Sequence, residues 1–141
     1  MRNRFILFCF TAAAAVIAVQ SCQSEQELKY ARYYTVGKAL YEQHCQNCHA
    51  ADGSGLEELI PPLTDTTYLR SNKSSLACII RYGMEGEITI NGKKYDKPMP
   101  ADDHLAPIEI AQIITYITNS FGNNHGLYDI HAVEKDLKDC R

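Results

Sequence analysis

The segment YEQHCQNCHAADGSG, residues 41–55, holds Cys45 and Cys48 three positions apart and places His49 directly after them. Apolar residues that lead into the pair recur at helical spacing: Val36, Ala39, Leu40 and Tyr41. The two thiols are therefore expected on one side of a helix end, where both can reach a single partner group. The glycines in AADGSG allow the backbone to turn tightly just after them.

Three kinds of site use two cysteines at this spacing. A zinc site needs two more ligands, but the chain has no second C-x-x-C pair, and His125 and His131 lie far downstream. A thioredoxin-like redox pair follows a strand in a βαβ unit, whereas a helix leads into this pair. Covalent haem attachment uses every position, because the thiols bond to the porphyrin and the histidine binds its iron. The sequence thus predicts one covalent haem c on Cys45 and Cys48, with an exported thiol-disulfide oxidoreductase using these cysteines as the alternative.

The N-terminus has the layout of an export signal. Two arginines precede an apolar run from Phe5 to Val19, which is short for a membrane-spanning helix. The following VIAVQSC resembles the lipobox of bacterial lipoproteins, in which a small residue precedes a cysteine that becomes lipidated. Ser21 and Cys22 match that pattern, whereas Gln20 departs from it. Ordinary cleavage after Ser21 and an uncleaved membrane anchor therefore stay open beside lipidation.

This signal sets the expected domain organisation. A lipoprotein-type signal peptide covers residues 1–21, a flexible tether covers 22–34 and a single domain covers 35–141. The protein is then exported and periplasmic, and lipid on Cys22 anchors it to a membrane. Without the two arginines of the signal, 12 basic residues face 17 acidic ones, and no basic patch with interleaved aromatics is present. Nucleic acid is therefore not an expected partner.

A second helix is predicted near the other end of the chain, at IEIAQIITYITNSFGN. Its apolar residues form an i, i+3, i+4, i+7 stripe: Ile110, Ile113, Ile114, Ile117 and Phe121. Gly122 is expected to end this helix.

Residues 35–121 resemble the class I monohaem c-type cytochromes. Gly37 and Tyr41 stand before Cys45 as the glycine and the aromatic residue do on that family's first helix. In the family, the first and last core helices cross at this glycine, with a tyrosine such as Tyr116 close by. The resemblance implies a mainly all-α cytochrome c fold around one covalently attached haem.

Haem iron at such a site needs a second axial ligand besides His49. Met99 in YDKPMPADD resembles the family's methionine followed by proline. The prolines on both sides stiffen an extended loop, which suits a thioether that must meet the iron. Met84 is expected to be a packing residue beside turn glycines. The remaining histidines are expected at the surface: His44, His104, His125 and His131.

The family also has a Pro-x-Leu segment, whose proline carbonyl accepts a hydrogen bond from the axial imidazole. LIPPLTD resembles this segment. The resemblance assigns the carbonyl to Pro61, with Pro62 as the alternative, and it places Leu63 against the haem ring.

Two elements are predicted between these segments. SSLACIIRYG is typical of a short helix that Ser74 or Ser75 caps and Gly83 ends. EITINGKKYDK alternates around Asn91-Gly92, a strong signal for a small β-hairpin. The hairpin is an insertion relative to the minimal family pattern.

An extra C-terminal helix is predicted in LYDIHAVEKDLKDCR, with Asp129 as its N-cap. Docked on the core, it would bring Cys140 near Cys78. These cysteines are left without another role in an oxidising compartment, so we expect a disulfide between them, with two free thiols as the alternative.

The resemblance implies a one-electron carrier rather than an enzyme. The haem carries the chemistry, while the protein fixes the axial ligands and presents an edge to a redox protein donor and acceptor. Nothing in the sequence supplies a substrate pocket with a general acid or base, so no small-molecule substrate is expected. A haem ligand sensor or peroxidase needs an open iron position, which Met99 argues against.

Overall fold

The computed structural model describes residues 24–140. Within this range, helices dominate and one short antiparallel sheet accompanies them. In chain order the elements are α1 (Glu25–His44), α2 (Gln46–His49), α3 (Thr66–Ser71), a 3₁₀ turn (Lys73–Ser75), α4 (Leu76–Tyr82), β1 (Ile88–Ile90), β2 (Lys93–Tyr95), α5 (Pro107–Ile117) and α6 (Ile130–Asp136). The predicted mainly α-helical fold with a small hairpin is confirmed.

The core is organised by the crossing of α1 and α5. Gly37 lies so close to α5 that a Cβ atom there would stand 2.0 Å from the Gln112 carbonyl oxygen. The side chain of Tyr41, one turn further along α1, is fully buried. Its ring centroid lies 5.3 Å from that of Tyr116 on α5 and 5.3 Å from that of Phe121. The two helices thus cross at the glycine, as the family resemblance implied.

Helix α1 begins earlier than the sequence suggested, and the expected flexible tether over residues 22–34 is wrong from Glu25 onward. Ser24 caps the helix: its hydroxyl accepts from the Glu27 N–H, and the Glu27 carboxylate accepts from the Ser24 N–H. The first turns also pack on the rest of the protein, since Tyr33 is buried and the Lys29 ammonium lies 3.4 Å from the Asp129 carboxylate. The capping box and these contacts make residues 25–34 part of the folded domain.

Helix α5 is shorter than its apolar stripe, and the prediction that Gly122 ends it is wrong. The helix ends at Ile117, and the hydroxyl of Thr118 donates to the Ile114 carbonyl oxygen at 2.6 Å. Phe121 follows in the left-handed region, with φ of 58°. Its ring covers Gly53, where a Cβ atom would lie 2.6 Å from the ring. The stripe extends past the helix because Phe121 packs from a turn.

The hairpin forms where it was predicted. Ile88 pairs with Tyr95 and Ile90 with Lys93. Between them, Asn91 and Gly92 adopt φ values of 51° and 75°, as a two-residue hairpin turn requires. The hairpin supplies Ile88 and Tyr95 to the lining of the cavity described below.

Helices α4 and α6 flank the core and are joined covalently. Helix α4 ends at Gly83 as predicted, but neither serine side chain caps it, because the 3₁₀ turn leads directly into it. Helix α6 has the predicted cap, since the Asp129 carboxylate accepts from the Ala132 N–H. Cys78 of α4 and Cys140 form a disulfide, with their Cα atoms 5.6 Å apart.

The predicted export signal, including Cys22, lies outside the described residues. Within residues 24–140, every helix is too short or too polar to cross a membrane.

Candidate haem site

His49 lies at the end of α2 and is nearly buried, with 9% of its surface exposed. Its Nδ1 lies 3.2 Å from the Pro61 carbonyl oxygen. Because a carbonyl can only accept, Nδ1 carries the proton and Nε2 keeps its lone pair. Burial lowers the pKa of His49, against the opposite effect of the Pro61 hydrogen bond. The imidazole is therefore neutral near pH 7, in the form that binds iron.

The backbone after His49 is folded back tightly enough to bring Pro61 to it. The Tyr41 hydroxyl donates to the Ala50 carbonyl oxygen at 2.5 Å, and the Gly55 N–H donates to the His49 carbonyl oxygen. Gly55 has φ of 74°, and a Cβ atom there would stand 2.3 Å from the Ile60 carbonyl oxygen. This close approach requires glycine, and it places Pro61 under the imidazole.

Cys45 and Cys48 flank the start of α2. The Cys48 and His49 N–H groups both donate to the Cys45 carbonyl oxygen, so one helical turn holds the three residues together. Cys45 is half-buried and Cys48 is exposed, and neither forms a disulfide. Burial raises the pKa of the Cys45 thiol to about 12, with further increases from Asp102 and Cys48.

An apolar cavity of about 260 Å³ opens beside His49. Two segments of the chain line it. The first contributes Cys48, His49, Leu59, Ile60 and Pro61, and the second contributes Met84, Gly86, Ile88, Tyr95, Lys97, Pro98, Met99 and Pro100. Leu63, predicted to contact the haem ring, does not line the cavity; its N–H donates to the Gly53 carbonyl oxygen at 2.8 Å, and its side chain packs against the core.

Met84 and Met99 stand opposite each other in a two-residue β-bridge. The N–H of each donates to the carbonyl oxygen of the other, at 3.0 and 2.9 Å. Directly paired residues of an antiparallel bridge project to the same face, and both methionines line the cavity. Sequence reasoning assigned Met84 to packing and missed this pairing. The one sequence signal for this pairing was Gly83, which directly precedes Met84. In the structure a Cβ atom at Gly83 would lie 2.4 Å from the Met99 carbonyl oxygen.

The other histidines differ in their surroundings. His104 and His131 are exposed, as predicted. His44 lies on the surface side of α1, where its Nδ1 is 2.8 Å from a carboxylate oxygen of Asp102. The prediction for His125 is wrong, because both of its ring nitrogens are buried and have no hydrogen-bond partner among the described residues.

The donor set at the cavity fits a haem and does not fit a bare metal ion. A neutral imidazole and two thioethers meet an apolar lining in which Lys97 is the one fully charged side chain, and two unpaired thiols lie in the segment beside it. In residues 24–140, no three His, Cys, Asp or Glu side chains come together as a metal ion would need. An imidazole and a thioether that bind the iron, and two nearby cysteine thiols that bond to the porphyrin, are the groups by which proteins hold a covalent haem.

Comparison with known proteins decides the family, since the family model for cytochrome c matches residues 34–120. The chain belongs to the cytochrome c family. This cytochrome therefore carries a covalently bound haem c and takes part in electron transfer.

The cytochrome resembles proteins of two kinds. Cytochrome c-552 of Thermus thermophilus is 29% identical over 91 residues, which cover 62% of this chain and 69% of that protein. The fructose dehydrogenase cytochrome subunit of Gluconobacter japonicus is 31% identical over 106 residues, which cover 72% of this chain and 22% of that subunit. The cytochrome c subunit of a quinone alcohol dehydrogenase from Gluconobacter oxydans is 29% identical over 90 residues, or 19% of its length. The aligned region is thus most of a small cytochrome and about a fifth of the two subunits.

Proposed function

We propose that this cytochrome is a one-electron carrier whose haem iron is held between His49 and Met99. The observation that carries the proposal is that both residues line one apolar cavity, and that Pro61 fixes the tautomer of His49. The bound haem supplies reversible one-electron chemistry at its iron. The protein holds the ligands, keeps water from the cavity and bonds the ring through Cys45 and Cys48.

Met99 is favoured over Met84 because of the loop that carries it. Pro98 and Pro100 restrict the backbone on both sides of Met99, so its side chain is presented from a stiff, extended segment. Met84 precedes the flexible sequence Glu85-Gly86. A ligand of low intrinsic affinity is best presented from the stiffer segment, because less conformational entropy is lost on binding.

The alternative functions receive less support. A thiol-disulfide oxidoreductase needs a thiolate, and burial raises the pKa of the Cys45 thiol, which disfavours that form. A ligand sensor or peroxidase needs an open iron position, whereas two thioethers line this cavity.

The expected partners are redox proteins, an electron donor and an acceptor. The dehydrogenase cytochrome subunits among the relatives support partners of this class. The cavity lining includes the exposed residues Cys48 and Leu59. Leu59 is 52% exposed, and Leu56, whose carbonyl oxygen accepts from the Leu59 N–H, is 50% exposed. Glu57 and Glu58 lie between these leucines. A partner that approaches here would present an apolar centre and basic side chains.

An exported, membrane-anchored location is also part of the proposal. It rests on the lipobox-like segment ending in Cys22 and on the Cys78–Cys140 disulfide, which suits an oxidising compartment. Replacing Cys22 with Ser and fractionating cells tests the anchor. Release of the variant as soluble periplasmic protein supports lipid on Cys22, and retention in the membrane contradicts it.

Absorption spectra of the purified protein test the haem and its ligands together. Colour that stays on the chain after extraction with acid solvent shows covalent attachment. Met99→Ala should abolish the far-red absorption band of methionine-bound ferric haem and lower the reduction potential, because the sixth position then opens. Met84→Ala is the matched control. It removes the other thioether that lines the cavity, and it should keep the band. Loss of the band in Met84→Ala alone would transfer the ligand role to Met84.

A further inference from the structure

Two chain segments form the haem cavity, and each has hydrogen bonds of its own. In the first segment, residues 41–63, the His49 imidazole donates to the Pro61 carbonyl oxygen, and the Gly55 N–H donates to the His49 carbonyl oxygen. In the second segment, residues 84–103, the backbones of Met84 and Met99 form an antiparallel β-bridge. The distance between the two segments determines whether a thioether from one and an imidazole from the other can reach the same iron.

The loop that carries Met99 is fixed firmly on one side. Its backbone pairs with Met84, and the Asp102 N–H donates to the Ile80 carbonyl oxygen of α4 at 3.0 Å. The Arg81 guanidinium donates to the Asp103 carbonyl oxygen at 2.6 Å. All these bonds tie the loop to α4 and its C-terminal turn, and none of them reaches the helices that hold His49.

Among the described residues, a single polar contact ties this loop to the segment that holds the cysteines. The His44 Nδ1 lies 2.8 Å from an Asp102 carboxylate oxygen, and the two residues are 58 positions apart in sequence. His44 directly precedes Cys45, and Asp102 comes three residues after Met99. Among the hydrogen bonds and ion pairs of residues 24–140, this contact alone joins residues 41–63 to residues 84–103.

The contact lies at the surface, but the two side chains are partly shielded from solvent. The side chains are 25% and 30% exposed. The Asp102 carboxylate also contributes to raising the pKa of the Cys45 thiol. Partial burial limits screening by salt, and a carboxylate as acceptor strengthens the hydrogen bond.

We propose that His44 and Asp102 form a clasp that positions Met99 on the haem iron. This proposal rests on the proposed ligation by His49 and Met99. A thioether binds iron weakly, so the fraction of molecules with Met99 attached depends on the free energy that holds its loop in place. The clasp supplies part of that free energy by joining the loop to α1, in addition to the bonds that join it to α4. His44 and Asp102 are positioning residues, because they act through the loop rather than on the iron.

Competition between Met99 and an external ligand tests the clasp. We expect His44→Ala and Asp102→Ala each to raise the affinity of the ferric protein for imidazole about threefold to tenfold, the factor that matches the net stabilisation of one hydrogen bond. The double variant should gain no more than either single variant, because both changes remove the same contact. Asp102→Glu keeps a carboxylate, so its imidazole affinity should lie between those of the wild type and Asp102→Ala. His104→Ala is the matched control, since its side chain is 96% exposed and lies near the same loop.

Two results would overturn the clasp. One is an imidazole affinity in both single variants equal to that of His104→Ala. The other is a loss of resistance to denaturant with unchanged imidazole affinity and unchanged reduction potential, because the pair would then support the fold without acting on Met99. Failure of the ligand assignment itself is recognised separately, since Met99→Ala would then keep the far-red band.

Discussion

At the scale of single residues, His49, the proposed iron ligand, owes its chemical state to its neighbours. Pro61 determines which nitrogen of His49 carries the proton, and burial keeps the ring neutral. The resemblance of LIPPLTD to the family's Pro-x-Leu segment implied the Pro61 hydrogen bond, with Pro62 as the alternative. The neutral state of His49 was not predicted, because its burial depends on the whole fold. The pairing of Met84 with Met99 and of His44 with Asp102 could not be predicted, because it depends on where two distant loops are placed.

His125 is a second histidine whose ring nitrogens are buried, and its protonation should weaken the fold. Burial lowers its pKa, and Arg70 and Lys73 lower it further. The native protein therefore binds this proton at a lower pH than the unfolded chain does. The free energy of unfolding should be fully retained above the unfolded pKa of about 6.5, and it should fall as the pH drops below that value toward the native pKa.

Denaturant titrations at about pH 7.5 and about pH 5.5 measure this loss. His125→Leu should reduce it, because the apolar side chain takes up no proton. His104→Leu is the control, since the His104 side chain is 96% exposed. An identical pH dependence in the wild type and His125→Leu would show that His125 does not drive the effect.

At the scale of elements, the crossing of α1 and α5 depends on Gly37. A Cβ atom at this position would overlap the Gln112 carbonyl carbon and oxygen, at 2.6 and 2.0 Å. Both contacts are with backbone, which cannot rotate away as a side chain can. The helices would have to move apart, and the buried tyrosines beside the crossing would move with them.

Gly37→Ala should therefore lower the free energy of unfolding by about 2 kcal/mol or more, as is usual for overpacking. The sign of this change in the free energy of unfolding is informative, because alanine in an unconstrained helix would stabilise the protein by about 1 kcal/mol relative to glycine. Thr35→Ala, at an exposed position of the same helix, serves as control. Guanidinium denaturation of both haem-loaded variants gives the comparison, and a Gly37→Ala protein as stable as the wild type would refute the close contact.

The two helix boundaries that were predicted wrongly differ in whether the sequence carries a signal for them. The start of α1 had a sequence signal, since Ser24 and Glu27 have the spacing of a capping box. The polar first turns lack an apolar stripe, and they were therefore interpreted as a tether. The end of α5 had no comparable signal, because Phe121 continues the apolar pattern while packing from a turn onto Gly53.

At the scale of the whole molecule, the disulfide ties the C-terminus to α4, away from the cavity. It closes a loop with a sequence separation of 62 residues between Cys78 and Cys140. Replacing both cysteines with Ala should lower the free energy of unfolding by about 4 kcal/mol in the chain-entropy model. The absorption spectrum should stay unchanged, because neither residue lines the haem cavity.

Denaturant titration and spectra of the Cys78→Ala/Cys140→Ala protein test both expectations. Alkylation of the wild type without reductant provides a direct check, since neither Cys78 nor Cys140 should react. Stoichiometric labelling of either residue would contradict the bond.

The length of α1 fixes how far the haem cavity stands from Glu25, the first residue of that helix. The 20 residues from Glu25 to His44 form a rod of about 30 Å, and the cavity follows at its far end. Only two residues separate Cys22 from Glu25. If lipid holds Cys22 at a bilayer, the cytochrome can pivot about that point but cannot extend from it. Its donor and acceptor would then need docking sites within the reach of this rod, so the length of the rod would itself select among partners.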